Sequence, residues 1–238
     1  MAEVQHTAER AFDAALIDLD GTLLDTIPDL AFAANAMRVD LGEAPLREDV
    51  LTTFVGKGIE NLVRRTLAAN LDGGEVDEDL MQRGLASFRH HYHLVNGDKA
   101  QVYDGVLDGL KALRDQGIAL AVVTNKPTEF TEPLLARTGL AGFFQVVVCG
   151  DTCAKKKPDP MPLLHACERL GVTPGRSLAI GDSINDAVAA RAAGCRVLAV
   201  PYGYNEGRDV RTLDVDGIVA SLLDAARWAA DPSAVPAA

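Results

Sequence analysis

Phe12-Asp13-Ala14-Ala15-Leu16-Ile17-Asp18-Leu19-Asp20-Gly21-Thr22 is the stretch that decides the fold. Residues 12–19 are largely apolar, end on acid, and are broken at once by Gly21 and Thr22. A run that short, stopped that sharply, reads as a buried strand rather than a helix. What surrounds it says which kind of sheet it belongs to.

Immediately downstream the periodicity turns helical. Over residues 28–96, Leu30, Ala33, Ala34 and Met37 recur at helical spacing, as do Leu62, Val63 and Leu67, then Leu80, Leu85 and Phe88. No strand is expected there. After Tyr103 the pattern alternates. A helix around Leu107, Leu110, Ala112 and Leu113 is closed by Gly117, and residues 118–123 read as a strand. Helices are expected over 133–138, 160–170 and 187–193, stopped by Gly139, Gly171 and Gly194. Strands are expected over 144–148, 177–180 and 196–200. A last helix is expected over 218–230, and residues 231–238 read as a loose tail.

Strands alternating with helices imply a doubly wound parallel sheet of the Rossmann-like α/β class. Strands as apolar as Ala119-Leu120-Ala121-Val122-Val123 fit burial on both faces. The reading is therefore a discontinuous core of residues 11–25 and 99–230. A small all-helical domain, residues 26–98, is inserted after the first strand.

Ligands of such sheets sit at the carboxyl ends of the strands, and those ends carry consistent chemistry here. The first ends in Asp18-Leu19-Asp20-Gly21-Thr22 and the second in Thr124-Asn125-Lys126. Lys155-Lys156-Lys157-Pro158 follows the third, and the fourth ends in Gly181-Asp182-Ser183-Ile184-Asn185-Asp186. Singly, each is an ordinary turn, cap or solvated face. Together they suit phosphoryl transfer. Asp18 and Asp182 offer the hard oxygen ligands that magnesium prefers. Lys157, Thr124 and the amides near Gly21 can surround phosphoryl oxygens. One carboxylate could attack phosphorus while a second moves the protons.

Composition narrows the partners. The formal net charge of −11, with 48% hydrophobic and 24% charged residues, describes an ordinary soluble chain whose surface repels polyanions. No nucleic-acid partner is expected, and no run is apolar enough to span a bilayer. Residues 1–10 show no leader pattern. Cys149, Cys153, Cys167 and Cys195 lack disulfide-framework or zinc spacing, which fits free thiols and a cytoplasmic location. His90 and His93 share a helical face but have no ligand set around them, so a helix surface is expected. Trp228, with Leu222 and Leu223, is expected to pack a helix onto the core.

These four motifs, in this order over residues 12–230, resemble those of the haloacid dehalogenase superfamily of phosphohydrolases. Asp18-Leu19-Asp20-Gly21-Thr22-Leu23-Leu24-Asp25-Thr26 is similar to its first motif, Thr124 to its second, Lys157 to its third, and Gly181 through Asp186 to its fourth. The resemblance implies Asp18 as nucleophile and Asp20 as general acid/base. Thr124, Asn125 and Lys157 would bind substrate. Magnesium would be held by the carboxylates of Asp18 and Asp182 and the main-chain carbonyl of Asp20, with Asp186 as a partner behind them. The insert resembles the family's cap.

Asp20 itself separates subclasses, because the family's dehalogenases lack an acid two residues after the nucleophile and its ion pumps carry threonine. Val55-Gly56-Lys57-Gly58, Val122 through Pro127 and Tyr202-Gly203-Tyr204-Asn205-Glu206-Gly207 resemble the phosphoglycolate phosphatases of the superfamily. That likeness implies a small phosphorylated metabolite, 2-phosphoglycolate, as substrate, with Lys57 as a candidate partner for its carboxylate. A sugar phosphomutase and a pyrophosphatase would share the four motifs. A non-enzymatic phosphoacceptor module would need neither a cap nor the fourth motif.

Overall fold

The computed structural model describes residues 10–233. The expectations for residues 1–9 and for 234–238 of the tail lie outside the described residues. Six parallel strands form the main sheet, in the order β5-β4-β1-β6-β7-β8. They are β1 (Ala14–Ile17), β4 (Ala119–Val123), β5 (Val146–Val148), β6 (Ser177–Gly181), β7 (Arg196–Ala199) and β8 (Gly217–Ile218). In β1, Ala14 lies opposite both Ala119 and Ser177, so the strand is hydrogen-bonded on its two sides.

Alternation along the strands sorts the core into two layers. Ala15 and Ile17 of β1, with Leu120 and Val122 of β4, face a layer completed by α5 (Val106–Asp115), α6 (Thr128–Arg137) and α9 (Leu222–Ala230). Ala14, Leu16, Ala121 and Val123 face the opposite layer, built with α7 (Met161–Leu170) and α8 (Ile184–Ala193). Small residues on α8, Ala189 and Ala190 among them, let that helix lie close to the sheet. Trp228 stacks on Phe12 at 5.8 Å, as a core-packing helix requires.

Strand order reverses at β1. The chain runs outward through β4 and β5, then returns to the other side of β1 as β6. The carboxyl ends of β1, β4 and β6 therefore surround a crevice, the usual place for a ligand in an open parallel sheet.

Between β1 and α5 lie α1 (Ile27–Asp40), α2 (Glu48–Phe54), α3 (Ile59–Ala68) and α4 (Glu78–Val95). They bury their own apolar cluster, including Leu30, Met37, Phe54, Leu62, Phe88 and Tyr92, and it takes in Phe130 and Tyr204 from outside the insert. A short antiparallel ribbon, β2 (Leu24–Asp25) with β3 (Gln101–Val102), joins the chain leaving for these helices to the chain coming back. Asp29, buried in the first turn of α1, accepts N–H bonds from Gly97 at 2.9 Å, Lys99 at 3.0 Å and Ala100 at 3.1 Å. One carboxylate thus fastens both crossings together.

Several boundaries differ from expectation. Residues 217–218 are a sixth strand against β7, and the last helix starts only at Leu222, where the Ser221 hydroxyl accepts the Asp224 N–H. Helix α6 begins at Thr128, well before residue 133, because the Asp151 carboxylate accepts both the N–H and the hydroxyl of Thr128. Two-residue strands and the seven-residue α2 carry too little periodicity to be read from sequence.

Candidate active site

Asp18 continues β1 by one residue, its N–H donating to the Ile180 carbonyl at 3.0 Å. Its carboxylate accepts the Leu19 N–H at 2.8 Å and lies 2.9 Å from the Lys157 ammonium. Lys157 also donates to the Val123 carbonyl and to Asp186, each at 2.6 Å. A single buried ammonium is therefore shared by the ends of β1 and β4 and the start of α8. Asn125 positions it: its amide oxygen accepts the Lys157 N–H at 2.9 Å, and its amide nitrogen donates to the Lys157 carbonyl at 2.9 Å. The same nitrogen donates to Gly56 of the helical insert at 3.0 Å.

Asp182 follows β6 and is almost fully buried. It accepts the Thr22 hydroxyl at 2.8 Å and the Tyr204 N–H at 2.5 Å. The backbone is shaped to receive this carboxylate. Gly21 has φ +86°, and a Cβ built on it would fall 2.5 Å from the Asp182 oxygen; a Cβ on Gly203 would fall 2.4 Å away. No larger residue fits at either place. Asp186 closes the set from α8, where it forms a capping box with Ser183 and accepts its N–H at 3.1 Å.

One oxygen from each of Asp18, Asp182 and Asp186 lies within 4.8 Å of the others. Burial pushes the Asp18 carboxyl up to about 7 despite Lys157, and Asp186 adds to the rise. Burial, with Asp186 and Asp18 alongside, raises Asp182 well above the carboxylate range. Three clustered carboxylates, two of them paired with the buried Lys157 ammonium, form a pocket of hard oxygen donors. That chemistry fits a small divalent cation such as magnesium. Among the described residues the α4 histidines join no such cluster: His93 pairs with Glu129 at 3.0 Å and His91 with Asp40 at 2.8 Å.

Asp20 stands apart from that cluster. Its carboxylate accepts the Thr26 hydroxyl at 2.7 Å and the Lys126 ammonium at 2.9 and 3.1 Å. Lys126 is buried and lies 5.0 Å above the Tyr92 ring of α4. Burial alone would lower its pKa, but Asp20 outweighs this and holds the ammonium above its ordinary value. Asp18, Asp20, Thr124, Asn125 and Lys126 line a cavity of about 30 Å³, roofed by residues of the insert such as Leu30, Val55, Ile59 and Leu62.

The structure thus brings together Asp18, Asp20, Thr124, Asn125, Lys157 and Asp182, with Asp186 behind Lys157. It does not bring Lys57 to them. The Lys57 ammonium lies 2.7 Å from Glu206, which also pairs with buried Arg65 at 2.6 Å, and Lys57 does not line the cavity. Its expected freedom to meet a substrate carboxylate is taken up by an internal one. Sequence reasoning passed over Lys126 as a site residue because a lysine after Thr-Asn looks like any solvated turn. Its signal was its place three residues beyond the end of a wholly apolar strand.

The model of the haloacid dehalogenase-like hydrolase family matches residues 15–200. Over 214 residues the chain is 54% identical to a protein named phosphoglycolate phosphatase from Nitrosospira multiformis, covering 90% of this chain and 94% of that one. A protein of the same name from Thiobacillus denitrificans is 49% identical over 213 residues, covering 90% and 93%. Among solved structures, that of a predicted phosphoglycolate phosphatase from Haemophilus somnus superposes with a TM-score of 0.86. It is 32% identical, with 92% of this chain and 98% of that one covered. With the strand-end geometry and these likenesses in agreement, the chain belongs to the haloacid dehalogenase-like hydrolase family.

Proposed function

We propose that the chain is a magnesium-dependent phosphatase of small phosphomonoesters, with 2-phosphoglycolate as its substrate. The observation that carries this is the division of labour between two neighbouring carboxylates. Asp18 sits among the acidic groups and Lys157, whereas Asp20 is held off by Lys126 and Thr26. One is suited to attack and the other to proton transfer.

In the first step a carboxylate oxygen of Asp18 bonds to phosphorus as the P–O bond to the leaving group breaks. Asp20 gives its proton to the departing oxygen. In the second step Asp20 takes a proton from water, and the water oxygen attacks the aspartyl phosphate. Inorganic phosphate leaves and the Asp18 carboxylate is restored. Lys157 and Thr124 hold the phosphoryl oxygens throughout. The carboxylates of Asp18 and Asp182 and the main-chain carbonyl of Asp20 would hold magnesium, which when bound supplies positive charge to the phosphoryl group. Asp186 keeps Lys157 in place.

Residues 26–98 act as a cap over a core of residues 11–25 and 99–230. The small cavity beneath the insert favours leaving groups of a few atoms, and the names of the relatives point to glycolate. Lys57 then ties the cap to the core through Glu206.

A panel of 2-phosphoglycolate, sugar phosphates and pyrophosphate, assayed with magnesium, with chelator and with calcium, tests the reading. The expected result is preferential, magnesium-dependent release of phosphate from 2-phosphoglycolate, inhibited by calcium, which takes more ligands at longer distances. Undiminished turnover in chelator, or preference for pyrophosphate or a hexose phosphate, would overturn it.

A further inference from the structure

We infer that Lys126, rather than Lys57, sets the specificity for a leaving group carrying a carboxylate next to the ester carbon; this rests on the phosphatase reading above. Among the residues lining the cavity over Asp18 and Asp20, Lys126 alone has a cationic side chain. Its side chain is only 3% exposed, and its ammonium stands 2.9 Å from Asp20, the group that must touch the ester oxygen to protonate it. In an α-carboxylated monoester, the carboxyl carbon is only two bonds from that ester oxygen. A carboxylate there lies within hydrogen-bond range of whatever cation the acid itself contacts.

The donor count allows it. An ammonium has three N–H donors, and the two Asp20 oxygens occupy at most two of them. The Tyr92 ring, 5.0 Å from the ammonium, is neutral and does not compete with a substrate carboxylate as an anion would. A charged hydrogen bond made inside such a site discriminates strongly, because a substrate lacking the carboxylate leaves the donor unpaired. Lys57 has no such access, since its partner is Glu206 and it lies outside the cavity.

The test compares kcat/KM for 2-phosphoglycolate with that for ethyl phosphate, the same two-carbon frame without the carboxylate, in wild type and in Lys126→Met, Lys126→Arg and Lys57→Ala. The expected preference of wild type for 2-phosphoglycolate falls by about 10-fold or more in Lys126→Met. Lys126→Arg retains most of it, and Lys57→Ala keeps the ratio within about 2-fold, whatever it does to the absolute rates. Circular dichroism checks that each variant is folded. Equal losses on both substrates in a folded Lys126→Met protein would overturn the inference and leave Lys126 as a positioning residue for Asp20. Loss of the preference in Lys57→Ala would overturn it as well, even if Lys126→Met did not fold. Wild type that turns over ethyl phosphate and shows no preference for 2-phosphoglycolate would overturn the substrate reading together with this one.

Discussion

Asp18 and Asp20 are two residues apart and chemically alike, yet their surroundings differ, and the proposed mechanism gives them different work. Asp18 faces Lys157, Asp182 and Asp186, while Asp20 faces Lys126 and the Thr26 hydroxyl. Removing each charge should therefore fail at a different step. Asp18→Asn is expected to show no turnover and no phosphoenzyme, because an amide oxygen is a poor nucleophile. Asp20→Asn is expected to lose roughly 10²–10⁴-fold in kcat for an alkyl phosphate, the usual contribution of general acid/base catalysis. It should lose much less for an aryl phosphate, whose leaving group departs without a proton. Rapid-quench detection of aspartyl phosphate with the two substrate types separates these outcomes. Normal turnover by Asp18→Asn would sink the mechanism. Asp18, Thr124 and Asp182 were legible from sequence because each directly follows a strong apolar strand, and Lys157 because its segment falls between the third and fourth of those strands. Arg65 and Glu206 were not. Their pairing joins residues from distant parts of the chain, and each alone looks like an ordinary surface charge.

At the scale of elements, that pairing ties α3 to the loop after β7. Glu206 has φ +51°, a left-handed backbone uncommon outside glycine, and its side chain is only 4% exposed. The local cost is offset by its bonds to Lys57 and Arg65. Burial would raise the Glu206 pKa, but those two cations outweigh it and bring the carboxyl below its ordinary 4.5. A carboxylate depressed by folding contributes stability above its unfolded pKa and loses it as pH falls through the folded value. Glu206→Gln is accordingly expected to be less stable at pH 7 by roughly 2–3 kcal/mol. That is below the range for breaking a fully buried pair, because Lys57 reaches solvent. The deficit should shrink as pH drops below about 4.5. Urea melts of both proteins from pH 7 to pH 3.5 measure it, and a deficit independent of pH would assign the effect to backbone or packing. Elements of ten residues or more were legible through their periodicity. The β2–β3 ribbon, β8 and α2 were not, because their existence depends on partners far away in sequence.

For the molecule as a whole, the sheet, its parallel sense and the position of the helical segment could be read before any coordinates, since alternation of strand and helix leaves few topologies. How that segment is attached could not, because the two-residue ribbon and the Asp29 fastening become visible only once both crossings are side by side. The ribbon has a consequence for how far the chain can be simplified. Asp25 lies directly opposite Gln101 in antiparallel register, with Leu24 opposite Val102. That is the geometry of a hairpin arm whose loop has been swollen to hold four helices. A two-residue Asn-Gly turn closes a directly opposed pair. Replacing residues 26–100 by Asn-Gly should therefore leave a contiguous chain that folds to the six-stranded sheet. Its circular dichroism should keep the α/β signature with a smaller helical contribution, and it should melt in a single step. Phe130 and Tyr204, now uncovered, would call for polar replacements to keep it monodisperse. A chain that stays unfolded after those replacements would mean that the helices hold the strand ends together rather than hang from them.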